Sequence, residues 1–500
     1  MDKKLTISNL SISKDKNLLK IPREENIKTI LLYFWFMVFI IVLSFTTVFL
    51  KEFGAIILLT LSLLYFFTKK IGQEILIFLT LVFSTNVLEF FNIDLLPYLQ
   101  LGTGLRFNAL DLLIIPLSIR SYLSLRKDGT NTFNMKFITF LIMLSTIYVV
   151  LGLLFTGSPK EAGFNYYRVL FYPAFYFALL KYFLINNNKN RLIYFLSFLV
   201  IISTIIQLYE YILNYRLTIP GYQVHDIAFS EEGVKIFTYG GERLYVWSRT
   251  TGFLFLILGI SLAMWENRLG NNKLNLLLVL ICFIGFIIAT VRMWIVLMLI
   301  LALVVFIFSP RKRSVLINVA TIIVLLSILI TLLSSLTYYP GQVDLITSLI
   351  SRVESITNTD KYGEQNTFLV RVIVNEINFN KFLESPIWGH GFGKFIYSNY
   401  YNNDVGITNR LVQFGLLGTL PILFFSFSNI FHIIREIKLN KHLSRKNRTL
   451  LISVLAILIA YLPGYLWQFD FWSEKLVFVL LIALALSDSI FLETYKFKSS

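Results

Sequence analysis

Glu384–Phe425 reads ESPIWGHGFGKFIYSNYYNNDVGITNRLVQFGLLGTLPILFF, and the rest of the chain is best read outward from it. It opens as a loop broken by Gly389, Gly391 and Gly393, which alternate with His390, Phe392 and Lys394. Glycine permits backbone conformations and close approaches that bulkier residues forbid. Tyr397, Tyr400, Tyr401 and Asp404 follow, and Gly415 and Gly418 then open an apolar run. The stretch predicts a polar, ligand-sized patch at the mouth of a transmembrane helix, with the remaining chain as its scaffold.

Composition agrees with a scaffold inside a membrane. The 500 residues are 56% hydrophobic and only 15% charged, with a mean hydropathy of +0.70. The apolar residues fall in runs of about 17–25, the length that crosses a bilayer as a helix. Segments of about ten alternating residues, the mark of a transmembrane barrel, are not seen. The fold class expected is an all-α polytopic integral membrane protein with about 14 transmembrane helices. Candidate spans are 30–50, 53–68, 75–91, 107–124, 137–156, 168–185, 192–214, 249–266, 274–290, 293–309, 315–336, 409–434, 448–467 and 474–491. The polar start of the chain and the length of the first apolar run predict an uncleaved first span rather than a signal peptide.

Charge sets the expected orientation. With the N-terminus in the cytoplasm, roughly two thirds of the Lys and Arg fall in the inside segments, as the positive-inside rule requires. Both termini are then inside. The organisation expected is a cytoplasmic tail over 1–29, spans 1–7 over 30–214 and an extracytoplasmic loop over 215–248. Spans 8–11 follow over 249–336, a large extracytoplasmic loop over 337–408, spans 12–14 over 409–491 and a cytoplasmic tail over 492–500. The net charge of +16 is accounted for by this topology, with no need of a nucleic-acid partner. The large loop carries two amphipathic patterns, 344–356 and 367–383, expected to lie on the outer surface or over the bundle. In the second, Phe368, Leu369, Val372, Ile373 and Ile377 are apolar, and Arg371, Asn375 and Asn378 make a polar side.

The single cysteine, Cys282, lies inside an apolar run. It excludes an intramolecular disulfide and a cysteine metal cluster, and reads as a packing residue. No P-loop, dinucleotide fingerprint, zinc-spaced His/Cys set or G-x-S-x-G elbow is present. Neither a cofactor nor a metal is expected.

The expected outer ends are marked by arginine: Arg106, Arg168, Arg216, Arg243, Arg249, Arg292, Arg352, Arg371 and Arg410. Arginine suits planar, bidentate contact with phosphate. Arg292 is the sharpest case, because it stands between two apolar runs with almost no loop, where a charge needs a cavity or a partner. Arg106, Arg216, Arg243 and Arg410, taken singly, read as snorkelling or solvated side chains. Asp404 is a candidate general base, with a solvated loop residue or helix cap as the plainer reading. His390, an imidazole between two glycines, competes for the role. Asp111 and Asp470 lie near membrane depth as possible partners for arginines.

Pro386–Gly393, a polar gap and then Gly415-Leu416-Leu417-Gly418 resemble the O-antigen polymerase/ligase superfamily, bacterial envelope glycosyltransferases with many membrane helices. The resemblance covers 160–440 and is strongest over 350–425. It implies a polyprenyl-pyrophosphate-linked oligosaccharide as donor and another as acceptor, joined on the outer face of the cytoplasmic membrane with inversion and without metal. Arg292 and Arg371 would hold the pyrophosphate, helped by Arg168, Arg249 or Arg352. Asp404 or His390 would act as base, and Trp388, Tyr397, Tyr400 and Tyr401 would stack on sugars. Ligases of the superfamily carry a histidine where Asp404 stands, followed here by Val405-Gly406. That departure favours a polymerase over a ligase. A flippase of the lipid-linked unit is the reading from another class, and no half of the chain repeats the other. A chain-length regulator and a flippase are the protein partners the resemblance suggests.

Overall fold

The computed structural model describes residues 23–50, 52–68, 71–85, 98–101, 105–156, 172–185, 188–213, 235–238, 241–244, 251–289, 292–309, 320–321, 324–328, 331, 367–391, 406–440, 442–467 and 474–499. Among the described residues, seven helices precede residue 235: α1 (Arg23–Phe49), α2 (Glu52–Thr68), α3 (Gln73–Thr85), α4 (Ala109–Lys127), α5 (Phe133–Thr156), α6 (Phe175–Phe183) and α7 (Asn188–Leu213). Seven more follow: α8 (Thr251–Glu266), α9 (Asn272–Ala289), α10 (Arg292–Phe308), α11 (Thr367–Glu384), α12 (Gly406–Leu439), α13 (Arg445–Trp467) and α14 (Glu474–Ser499). Two short antiparallel hairpins, β1–β2 (Tyr98–Leu101 with Leu105–Asn108) and β3–β4 (Lys235–Thr238 with Gly241–Leu244), lie between helices.

Among the described residues, six helices are long and apolar enough to cross a membrane: Leu31–Phe49, Phe133–Leu151, Asn188–Tyr209, Ile407–Leu439, Arg445–Pro463 and Val477–Thr494. Five shorter apolar helices stand where further spans were expected, among them Glu52–Thr68 and Val296–Phe308. At 1.5 Å per residue, 17 residues cover about 25 Å, slightly less than the bilayer's hydrocarbon core. The helices fit an all-α, multi-pass membrane protein.

The burial pattern follows from a solvent that is itself apolar. α1 exposes Leu31, Leu32, Trp35, Phe39 and Val42, as a lipid-facing helix can without cost. α8 is apolar all round and buried from Gly252 to Ala263, packing against α7, α9, α10 and α13. A helix buried on every side has no need of a polar face. Buried hydroxyls return their hydrogen to the preceding turn, as Ser44 does to Ile40 O and Ser203 to Leu199 O, which satisfies them inside a bilayer.

Segments expected on the cytoplasmic side meet at one end of the bundle. Gln73 donates to Ala178 O at 2.9 Å and Tyr182 to Glu74 at 2.6 Å. Lys189 pairs with Glu493 at 2.7 Å, Lys446 donates to Asn190, and Arg445 donates to Asn267 O. Asp488, a carboxylate missed in the sequence reading, is 5% exposed there. It accepts from Asn134 Nδ2 at 2.8 Å and from the Tyr176 hydroxyl, tying α14 to the start of α5 and to α6. Asp111 closes a capping box with Asn108 at the start of α4.

Candidate active site

The first half of α12 ends at Phe414, and its second half begins at Leu416. Gly415 between them has φ 59° and ψ −163°, a region essentially reserved for glycine. A break inside a membrane helix leaves carbonyls at one end and N–H groups at the other, and hydrocarbon satisfies neither. The turn that follows α11 fills the gap. His390 N donates to Val412 O at 2.7 Å, and Gly391 N to Gln413 O at 2.9 Å. In return Leu416 N donates to Pro386 O at 2.8 Å, and Leu417 N to Ile387 O at 3.1 Å. The Tyr148 hydroxyl, from α5, donates to Phe414 O at 2.7 Å.

The glycines of the motif owe their places to this interlock. Gly389 and Gly391 have φ of 70° and 69°. A Cβ on Gly389 would stand 2.5 Å from Gln413 O, and one on Gly415 2.3 Å from Ile387 O. The two halves of the sequence motif are thus a wedge and the slot that receives it. Tyr148→Phe should leave the Phe414 carbonyl without its hydroxyl donor, at a cost of about 1–3 kcal/mol. The expected result is a lower thermal midpoint in detergent.

Tyr148 also places the site along the bundle. It stands on α5 roughly 21 Å, at 1.5 Å per residue, from Asn134 and the Asp488 cluster. The break therefore lies towards the opposite end of the bundle from the contacts around Asp488.

α11 packs on α12 through the side expected to be polar. Asn378, 4% exposed, donates to Asn409 Oδ1 at 2.7 Å, and Thr408 donates to Asn375 Oδ1 at 2.8 Å. Val372, Ile373, Phe379 and Leu383 are turned outward, each at least 40% exposed. The helix is amphipathic, as expected, with Val374 and Phe382 buried beside the asparagines and these four apolar side chains facing away from the bundle. Outward apolar side chains cost little where the surroundings are lipid, and hydrogen bonds are then found inside. Arg371 begins the same face, at i, i+4, i+7 with Asn375 and Asn378.

His390 anchors the wedge at a second point. Its Nε2 lies 2.9 Å from Lys381 O. The carbonyl only accepts, so Nε2 is the donor. Lys381 also bonds the exposed Glu384 carboxyl and so holds it below the usual carboxylate range. Trp388 is 61% exposed beside Ile387 at 55%, leaving its ring uncovered at the rim of the wedge.

Arg410 was read from sequence as a snorkelling or solvated side chain, and the structure corrects this. It is 1% exposed and ranks among the largest fully buried side chains. Its guanidinium lies 5.4 Å from the Phe414 ring centroid and donates to Gln413 Oε1. A lone arginine near a span end looks the same in sequence whether it points to headgroups or inward. The break at Gly415, which leaves a short half-helix packed under α11, is the feature that turns it inward.

The structure brings His390 and Trp388 onto the wedge, and Arg371 lies in the first turns of α11. Arg292 begins α10, and the side chains of Arg292 and Arg371 lie outside the described residues. So do Arg168, Arg249, Arg352, Tyr397, Tyr400, Tyr401 and Asp404, the amphipathic pattern at 344–356, and Asp470. Among the described residues no group of His, Cys, Asp and Glu could hold a metal ion.

No curated protein matches the chain. Residues 277–423, which run from α9 through the wedge and the break, match the family model described as O-antigen ligase. The match supports the O-antigen polymerase/ligase superfamily, whose members are glycosyltransferase-like enzymes acting on lipid-linked glycans.

Proposed function

We propose that this chain is a polymerase that joins polyprenyl-pyrophosphate-linked oligosaccharide repeat units into a surface polysaccharide. The observation that carries the reading is the matched region itself. It holds Arg292, Arg371, the wedge, Asp404 and the broken helix in one continuous stretch, and its wedge and helix lock together through paired backbone hydrogen bonds. Asp404, where ligases of the superfamily carry histidine, favours polymerase over ligase.

In this mechanism the sugar–phosphate bond of the donor breaks as the acceptor hydroxyl attacks from the opposite side, inverting the anomeric centre. Asp404 takes the hydroxyl proton. The leaving pyrophosphate gains charge, and Arg292 and Arg371 stabilise it, helped by Arg168, Arg249 or Arg352. Asp404 is the base in this reading, and His390, whose Nε2 bonds Lys381 O, is the alternative. Trp388, Tyr397, Tyr400 and Tyr401 offer apolar ring faces to the sugars. The active site works on the outer face of the bacterial cytoplasmic membrane, with a flippase supplying the units and a chain-length regulator acting on the product.

Arg292→Ala should shorten the product sharply at normal protein level, and Arg292→Lys should restore only part of the length, because the bidentate fork is lost. Glycan sizing on gels checks both. The reading as a whole is tested by sizing the lipid-linked saccharides of a deletion strain and finding the membrane face they occupy. Single repeat units on the outer face are expected. Long chains still on the lipid would mean a ligase, and single units held on the inner face would mean a flippase.

A further inference from the structure

The seam between α2 and α4 holds a guanidinium that the site described above does not use. Arg120, on α4, lies over the ring of Tyr65 on α2, with its central carbon 4.3 Å from the ring centroid. Stacking covers one face of the planar group and leaves its N–H edge to find acceptors. Nη1 on that edge is buried and has no hydrogen-bond partner. No carboxylate pairs with Arg120 among the described residues, and Asp128, at the end of the same helix, is taken by Lys181. A snorkelling arginine gives its N–H groups to water, whereas here one of them is shut away with its acceptor unsupplied.

The level of Arg120 in the bundle is set by its neighbour. Ser121 accepts from Gln73 Nε2 at 3.3 Å, and Gln73 opens α3. Gln73 also donates to Ala178 O among the contacts at the bundle end expected to face the cytoplasm. Arg120 therefore stands near the depth of lipid headgroups. The same turns of the two helices expose apolar side chains: Ile119 and Leu123 on α4 and Leu64 and Phe67 on α2 are each at least 40% exposed. A ligand that completes this seam carries acceptors and negative charge for the fork and apolar chains for the surface around it. A glycerophospholipid has both. With no free carboxylate to receive an ammonium, the seam suits an anionic headgroup better than a zwitterionic one. We propose that Arg120 and Tyr65 form a binding site for the phosphate of an anionic phospholipid in the leaflet at that end of the bundle. The inference does not rest on the polymerase reading, because the site lies at the opposite end from the break in α12.

The full-length protein, purified in detergent and stripped of lipid, would be titrated with phosphatidylglycerol and with phosphatidylcholine of the same chains, with bound lipid counted by native mass spectrometry. The expected result is one phosphatidylglycerol held by the wild type, and binding weaker by about ten-fold or more in Arg120→Gln. Phosphatidylcholine should bind the wild type more weakly, and inorganic phosphate should not displace the lipid. Lys127→Gln removes an exposed charge from the same helix end and should bind as the wild type does, since an exposed charge is screened. Tyr65→Leu should weaken binding and Tyr65→Phe should keep it, because only the ring beneath the guanidinium is needed. If Arg120→Gln does not fold, Arg120→Lys, which keeps the charge and loses the fork, is read in its place and should also bind more weakly. Equal binding by wild type and variant, or no binding by the wild type, would overturn the site. So would equal binding of phosphatidylcholine, or displacement by inorganic phosphate, which would assign the fork to a soluble anion. None of these outcomes bears on the polymerase reading.

Discussion

Gly415→Ala is expected to abolish chain growth and to lower the thermal midpoint in detergent, while Gly72→Ala leaves both unchanged. The added Cβ would stand 2.3 Å from Ile387 O and 2.6 Å from Gly389 N. Both are backbone atoms, so no side chain can swing aside. The φ of 59° with ψ of −163° adds about 1–3 kcal/mol of strain for any residue with a Cβ. Relief requires the wedge to withdraw. That would strip the partners from Val412 O, Gln413 O, Leu416 N and Leu417 N in one step. Gly389→Ala acts on the same contact from the other side, so the two substitutions together should cost less than the sum of each alone. At Gly72 a Cβ meets nothing within 4 Å. A Gly415→Ala protein with wild-type stability and wild-type product length would show that the interlock is dispensable.

Asp404→Asn is expected to slow polymerisation by about 10²–10⁴-fold, the usual worth of a positioned general base, with the folded protein intact. The substitution keeps the shape of the side chain and removes its capacity to take a proton. Initial rates on lipid-linked repeat units, compared at equal protein and equal thermal midpoint, check it. His390→Gln makes the contrast. If Asp404 is the base, the His390 variant keeps most of its rate and loses stability, because the bond to Lys381 O is weakened. Loss of rate in the His390 variant alone would move the base to His390.

The positions of the helices were legible because apolar runs of span length announce themselves. α1, α5, α7, α13 and α14 fall where uninterrupted runs predicted them, and helical residues occur within 315–336 as expected. The number of crossings was less legible. α4 carries Pro116, a buried Asp111 and basic residues in its last turn, and α6 is nine residues long after a single 3-10 turn. Hydropathy alone cannot separate such helices from full spans.

At the site, the sequence marked the glycines and missed what they meet. Gly389 and Gly415 are in contact across 26 positions of chain, and no local pattern encodes a contact of that separation. The misreading of Arg410 and the silence on what α11 packs against share one cause. Arg410 was assigned outward by the habit of placing polar residues in water, and the polar side of α11 was given no partner. In lipid the preference reverses, and the polar side of α11 and the head of Arg410 turn towards protein. The buried Asp488 was overlooked for the same reason, since its donors come from Asn134 and Tyr176, hundreds of positions away.

The most direct test is reconstitution. Repeat units extracted from the deletion strain on their own lipid would be supplied to the purified protein in vesicles, with a chelator and no nucleotide. The account predicts a ladder of lipid-linked oligomers, growing with time and absent with Asp404→Asn. Units that remain single, or that merely cross the bilayer without joining, would contradict it.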